Sequence, residues 1–291
     1  MAIKTLRNSG DRKAVIVTGC SSGIGRQVAV TLAENGFLVF ATVRKEKDRE
    51  TLNGLGLPGL LPVYPLDLTS LEHISNARNL ISAELKNRQK KGLDGLINSA
   101  GGGVPAPVEL LDLQDFHREL KARILGSTAM AQAFLPLLRE ARGRILWIMT
   151  PALVPTPYVS MIHACDFAVN CIARTLDIEL KRSHVSNIMI RCGGIRTPAG
   201  LRTARDVEAL LQEIQPERAV LYEKPLREWA LEMEKFDGKR TAPHEVAAVV
   251  LKALLAGKPR RRYSVGYMSR AAAWLEMFPQ PVTDWILKKR F

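Results

Sequence analysis

The segment Thr18-Gly19-Cys20-Ser21-Ser22-Gly23-Ile24-Gly25 places three glycines inside one short turn. Glycine lets a backbone bend tightly and come close to a ligand. An apolar run, KAVIVT at 13–18, precedes the turn, and helical periodicity through Ile24, Val28, Leu32 and Ala33 follows it. A helix that starts near Gly23 aims unpaired N–H groups and a positive dipole end at the turn, which is a seat for a pyrophosphate. A second apolar run, FLVFAT at 37–42, leads into Val43-Arg44-Lys45. An acid there would bond a ribose 2′-hydroxyl; Arg44 and Lys45 suit a 2′-phosphate instead. The ligand expected is therefore NADP(H) rather than NAD(H).

These residues need a scaffold, and the hydropathy pattern supplies one. Further short apolar runs stand at 60–66 (LLPVYPL, weakened by prolines), 93–98 (LDGLIN), 144–149 (RILWIM) and 185–191 (VSNIMIR). Helical stretches lie between them at about 69–90, 112–140 and 161–182. Strands alternating with helices predict an α/β fold, a doubly wound parallel sheet with helices on both faces and its ligand at the C-terminal strand ends. The expectation is one domain over 1–291, with a polar, helix-prone insertion at 198–238 acting as a substrate lid.

Composition narrows the function classes. With 46% hydrophobic and 24% charged residues the 291-residue chain can bury a sizeable core, which excludes disorder as its main state. No apolar run approaches the roughly 18 residues of a membrane span. Residues 1–13 are polar and read as no secretory signal. Cys20, Cys165, Cys171 and Cys192 form no CxxC pair, so neither a metal site nor a disulfide framework is expected, and the compartment reads as cytoplasmic. Cys165 and Cys171 are expected to fill core space on different helix faces. The net charge of +13 comes without a nucleic-acid motif.

The spelling TGxxxGIG at 18–25 resembles the short-chain dehydrogenase/reductase family. Asp67-Leu68 resembles its adenine-contacting acidic position. Asn98-Ser99-Ala100-Gly101 resembles its NNAG motif, with Ser99 in place of the second Asn. Arg191-Cys192-Gly193-Gly194-Ile195-Arg196-Thr197 resembles the PG-x-x-x-T segment at the nicotinamide end, with Cys192 in place of proline. The resemblance covers about residues 13–266 and looks closest to the steroid- and retinoid-type branch. It implies a Rossmann-type oxidoreductase of a lipophilic small molecule, a homo-oligomer, with Gly19, Ser21, Ser22, Gly23, Ile24, Gly25, Asp67, Leu68, Asn98, Ala100, Gly101, Ile195 and Thr197 on the cofactor.

At the reaction centre the family pattern breaks. The family carries a Ser, a Tyr, a Lys four residues after the Tyr, and an Asn on the preceding long helix. Here Ile162 stands at the Tyr position and Asp166 at the Lys position. Thr150, or Met149 without a gap, stands at the Ser position, and Arg123 replaces Asn in Arg123-Ile124-Leu125-Gly126. Ile162 cannot transfer a proton, and an ionised Asp raises a neighbour's pKa where Lys lowers it. Asp166, Arg123 and Thr150 are the candidate catalytic residues. Asp166 either stabilises a cationic substrate, as an iminium reduction would need, or forms a plain ion pair with Arg123 or Arg174. Arg123 reads as its partner, as a group polarising a carbonyl, or as a solvated helix face. His163 reads as packed or capping. Three functions stay open: redox catalysis by other groups, a non-redox cyclisation or isomerisation, and a nucleotide-binding protein without catalysis.

The C-terminal segment 267–291 is basic and amphipathic. Residues 257–291 hold eight Lys and Arg against two acids, and Trp274, Leu275, Phe278, Val282, Trp285, Ile286 and Phe291 form apolar stripes. The expectation is that these cover the pocket or a subunit interface, burying the tryptophans; peripheral membrane contact is the alternative.

Overall fold

Strand β1 (Ala14–Val17) is buried along its whole length and leads through the glycine turn into α1 (Gly23–Glu34). The computed structural model describes residues 12–290, with side chains through Lys289; the polar start at 1–11 and Phe291 lie outside the described residues. The chain continues through β2 (Leu38–Thr42), α2 (Glu46–Asn53), β3 (Leu60–Val63), α3 (Leu71–Asn87) and β4 (Gly95–Asn98). It then forms α4 (Leu113–Glu119), a π-helical turn (Leu120–Gly126), α5 (Ser127–Ala141), β5 (Arg144–Met149), α6 (Ser160–Glu179) and β6 (Ser186–Cys192). Two insertion helices follow, α7 (Thr203–Glu213) and α8 (Pro216–Asp237). The last elements are α9 (Pro243–Leu255), β7 (Arg262–Val265), α10 (Ser269–Leu275) and α11 (Gln280–Arg290).

The seven strands form one parallel sheet in the order β3-β2-β1-β4-β5-β6-β7. Successive strand residues face opposite sides, so each central strand feeds two cores. Ala14, Ile16, Leu38 and Phe40 pack with α3, α5 and α6 on one face. Val15, Val17, Val39 and Ala41 pack with α1 and α9 on the other. This is the doubly wound architecture that the alternation predicts. The prolines of the third run are tolerated because β3 is an edge strand, where a missing N–H breaks no inner ladder.

The sheet order reverses between β1 and β4. Their C-terminal ends open into a crevice at that switch point, where ligands of such sheets bind. Two findings differ from the sequence reading. The stretch at 112–140 is not one α-helix: α4 and α5 are joined by a π-helical turn that contains Arg123. A seventh strand, β7, and the helix α9 before it extend the sheet beyond the runs read from hydropathy. The β7 sequence RYSV, exposed at Arg262 and Ser264, is too short and too polar to announce itself.

Candidate active site

The glycine turn lines a groove of about 450 Å³ along the C-terminal ends of β1, β2 and β4. Gly19 has φ of +74°, and a Cβ on it would lie 2.8 Å from the Ala100 backbone. A Cβ on Gly25 would strike the Gly19 carbonyl. Both positions thus require glycine for the turn and the helix to approach each other. Ser22, the N-cap of α1, makes no side-chain cap to the helix, so its first-turn N–H groups remain available to an anion.

Most of the cofactor residues expected from sequence meet here. Gly19, Ser21, Ser22, Gly23, Ile24, Gly25, Arg44, Lys45, Asp67, Leu68, Ala100, Gly101 and Thr197 all line the groove. Two do not. Asn98 is buried at the end of β4, and neither polar atom of its side chain has a partner. Ile195 lines the adjoining cavity instead. At Asp67, partial burial opposes ionisation, but hydrogen bonds from the Thr69 N–H (2.9 Å) and hydroxyl (2.8 Å), with the charge of Arg44, hold its pKa below the usual carboxylate value.

The second cavity, about 330 Å³, shares Ser99, Gly101 and Thr197 with the groove and opens beside β5 and α6. It brings all three candidate catalytic residues together. Asp166 is 3% exposed, and both carboxylate oxygens are engaged. One pairs with the Arg123 guanidinium, and the other accepts the Thr150 N–H at 2.7 Å. Arg123 also donates to the Gly102 carbonyl at 3.1 Å, while Glu119, one turn earlier, accepts the Gly102 N–H at 3.1 Å. Burial works against the Arg123 charge, yet Asp166 and Glu119 outweigh it and raise its pKa above the ordinary arginine range. The partner of Asp166 is therefore Arg123 and not Arg174, and the solvated-face reading of Arg123 is wrong. The π-helical turn and α6 pack together and bring the two charges across the cavity wall. Such turns recur at functional sites.

Ile162 lines the same cavity, next to Gly103. The Thr150 hydroxyl donates to the Ala152 carbonyl at 3.4 Å. His163 is partly buried, stacks on Phe167 with ring centroids 5.7 Å apart, and has its pKa lowered, mainly by burial. It does not line the cavity, in keeping with a packed residue. Burial pushes Cys192, on the wall, up to about 12, and Cys165 up to about 11. Cys171, by contrast, is exposed and fills no core space, because it falls on the outer face of α6.

Sequence reasoning missed several wall residues. Trp229 and Met233 come from α8, and Arg240 from just beyond it, so the insertion supplies part of this cavity's wall. Trp229 is 5% exposed, meets Tyr158 edge-on at 5.4 Å, and its indole N–H has no acceptor. The signal was present, since it is the only Trp in the polar stretch 198–238. Glu119 was legible only as a neighbour of Arg123 on the helix. Among the described residues, none from 267 onward lines either cavity, and Trp274 and Trp285 are exposed, so this part of the C-terminal segment does not cover the pocket. Among the described residues no cluster could hold a metal ion, and no helix is long and apolar enough to cross a membrane.

Known proteins show the same plan. A reductase of Xenorhabdus hominickii named for 3-amino-tetrahydro-pyrrolizinone is 31% identical over 257 residues, covering 88% of this chain and 87% of its own. Human retinol dehydrogenase 16 is 31% identical over 261 residues, covering 88% and 81%. Among solved structures, a short-chain dehydrogenase of Burkholderia cenocepacia in complex with NADP superposes with a TM-score of 0.71 at 23% identity, over 99% of both chains. One from Streptomyces avermitilis gives 0.74 at 20%, over 97% of this chain and 99% of that one. The short chain dehydrogenase model matches residues 13–208, from the strand before the glycine turn to α7. With a matching family model over residues 13–208 and relatives at 31% identity along most of its length, this chain belongs to the short-chain dehydrogenase family.

Proposed function

We propose that the protein is an NADPH-dependent reductase of a lipophilic small molecule whose reducible bond is already activated, a cationic carbon–nitrogen double bond. One observation carries this reading. Among the described residues lining the substrate-side cavity, the only ionisable groups are Arg123, Asp166, Arg240 and Cys192. Arginine does not give up its proton in proteins, the Cys192 thiol is held up near 12, and both Asp166 oxygens are engaged. A carbonyl needs a proton as hydride arrives. An iminium needs none, because hydride addition to its carbon gives a neutral amine directly.

The groove suits the cofactor. The uncapped first turn of α1 and the bare approach at Gly19 and Gly25 fit a pyrophosphate. Arg44 and Lys45 supply cations for a 2′-phosphate, Asp67 and Leu68 line the adenine end, and Thr197 lines the opposite side. NADPH, when bound, supplies the hydride. The chain's own part is position and electrostatics. Ile162, Trp229 and Met233 furnish an apolar wall that excludes water and favours a lipophilic substrate. Arg240 is neutralised by Asp237, so Asp166 in the cavity and Glu119 on the groove side together outweigh Arg123 by one negative charge, which favours a cation beside them. The relative named for a pyrrolizinone, a nitrogen heterocycle, supports the same substrate class.

A second reading has its own observation. Because Arg123 and the Thr150 N–H already satisfy Asp166, the pair also fits a purely structural role in a nucleotide-binding protein that performs no redox step, or in a cyclase or isomerase. The test is to titrate NADPH and NADH, then follow NADPH consumption with iminium, ketone and alcohol panels, using unaltered protein and Asp166→Asn. The reductase reading expects consumption with iminium that Asp166→Asn largely removes per folded molecule while NADPH still binds. Binding without consumption would favour the second reading.

A further inference from the structure

The two C-terminal helices turn tryptophans and cations outward together. On α10 and the turn after it, Arg270, Trp274 and Met277 recur at spacings of four and three. On α11 the same holds for Val282, Trp285 and Lys289. These spacings put each set on one helix face, and all six residues are exposed. Trp274 and Trp285 are each 58% exposed and Met277 is 73% exposed. Lys289 stands 4.1 Å over the Trp285 ring, and Trp274 meets Phe278 edge-on at 4.5 Å. A packing stripe would face the protein; this one faces away from it.

The segment is nevertheless anchored. Arg191 is buried within β6 and forms an ion pair with Glu276, at the end of α10, while also reaching Asn170 Oδ1 at 3.3 Å. The inner side of α10 is thus tied to β6 through a buried charge, and its outer side is held in a fixed orientation. Glu276 is one of only two acids in residues 257–291, and its carboxylate is spent inward on Arg191. Among the described residues, no carboxylate lies within ion-pair distance of Arg270, Lys288 or Lys289. The outward face combines aromatic rings with unneutralised cations.

A second copy of this chain is a poor occupant. A two-fold interface sets the same patch against itself, and here that would oppose two surfaces each carrying the surplus of positive charge. The complementary surface is negatively charged outside and apolar just beneath, which describes an anionic lipid interface. We propose that α10 and α11 form a docking surface for an anionic membrane. Trp274, Met277 and Trp285 sit at headgroup depth, where indole rings are favoured, and Arg270, Lys288 and Lys289 lie against lipid phosphates. The surface is independent of the reductase reading, since none of these residues lines either cavity.

The test uses the full chain. Cosedimentation is measured with phosphatidylcholine vesicles and with vesicles containing about one third phosphatidylglycerol, at physiological salt. The proposal expects binding to the anionic vesicles alone, weakened roughly tenfold by Trp274→Ala with Trp285→Ala and abolished by Arg270→Glu with Lys288→Glu. Melting and NADPH binding should be unchanged in both variants. Quenching of tryptophan fluorescence in the unaltered protein by brominated lipid gives a readout that needs no variant. Protein left in the supernatant with anionic vesicles, variants that bind as the unaltered protein does, or no quenching would overturn the proposal. So would a tryptophan variant that turns a dimer into a monomer without any lipid binding, which would mark the face as a protein interface.

Discussion

The groove beside β1 and the cavity beside β5 share walls at Ser99, Gly101 and Thr197, yet they are built in different ways. In the groove the work falls to backbone: glycines that permit a close approach and N–H groups at a helix start. Such a site tolerates little change, because an added Cβ collides with main chain. In the cavity the work falls to side chains on α6 and the π-helical turn, and these can be exchanged while the backbone stays in place. Ile162, Asp166 and Arg123 are such side chains, held on elements that pack against the sheet. Charge pairing couples two of them. An Asp at position 166 alone would be a buried carboxylate without a counter-charge, and Arg123 supplies one.

The largest effect should come from breaking that pair. Asp166→Asn removes the partner that pairs with the buried Arg123 guanidinium and leaves only the charge of Glu119 to offset it, which costs up to about 3–5 kcal/mol of stability. Replacing both, as Arg123→Met with Asp166→Leu, should recover most of it. Chemical denaturation of the three proteins measures this, and a double variant no more stable than the single would contradict the coupling. A related attempt to restore carbonyl reduction by Ile162→Tyr and Asp166→Lys should succeed only with Arg123→Asn added, because Lys beside Arg123 would bury two like charges.

On the groove side, Gly25→Ala should weaken NADPH binding by more than about a hundredfold, since the methyl group meets the Gly19 carbonyl and pushes α1 off the turn. Fluorescence titration of NADPH measures it. Arg44→Ala is a smaller perturbation. It should remove a charge-assisted contact worth about 1.5–3 kcal/mol, roughly ten- to a hundredfold in affinity for NADPH, and leave NADH nearly unaffected. Equal losses for both cofactors would place Arg44 elsewhere in recognition.

The smallest expected effect is a pH dependence. Burial lowers the pKa of His163 below the ordinary imidazole value of 6.5. In the unfolded chain the imidazole takes up a proton as pH falls through 6.5, while in the folded protein it stays neutral until lower pH. Folding stability from this group is therefore intact above 6.5 and is lost as pH falls below it, at no more than about 1.4 kcal/mol per pH unit. His163→Leu should flatten that part of the stability profile. An unchanged slope in thermal melts between neutral and mildly acidic pH would assign it to other groups.

Much of the groove was legible because its signals are local. A strand, a glycine turn and a helix are contiguous in sequence, and Arg44 follows the next strand directly. The cavity was legible only as an absence, in that Ile162 and Asp166 cannot do what Tyr and Lys do. Which partner Asp166 takes depends on a π-helical turn 43 residues away, and no periodicity announces such a turn. Trp229 and Arg240 reach the cavity by tertiary packing of the insertion, which hydropathy does not encode. Asn98, expected at the cofactor, lines neither cavity; it ends a strand that is buried on both faces. The C-terminal tryptophans were expected to be buried. Their stripe has the right helical period, but period alone does not say which side faces the protein.

The most direct measurement of the central claim is single-turnover loss of NADPH absorbance with a lipophilic cyclic iminium and with the ketone of the same shape. A cofactor groove joined to a cavity without a proton donor predicts rapid hydride transfer to the iminium and little or none to the ketone. Comparable reduction of the ketone, or no transfer to either from a protein that binds NADPH tightly, would contradict it.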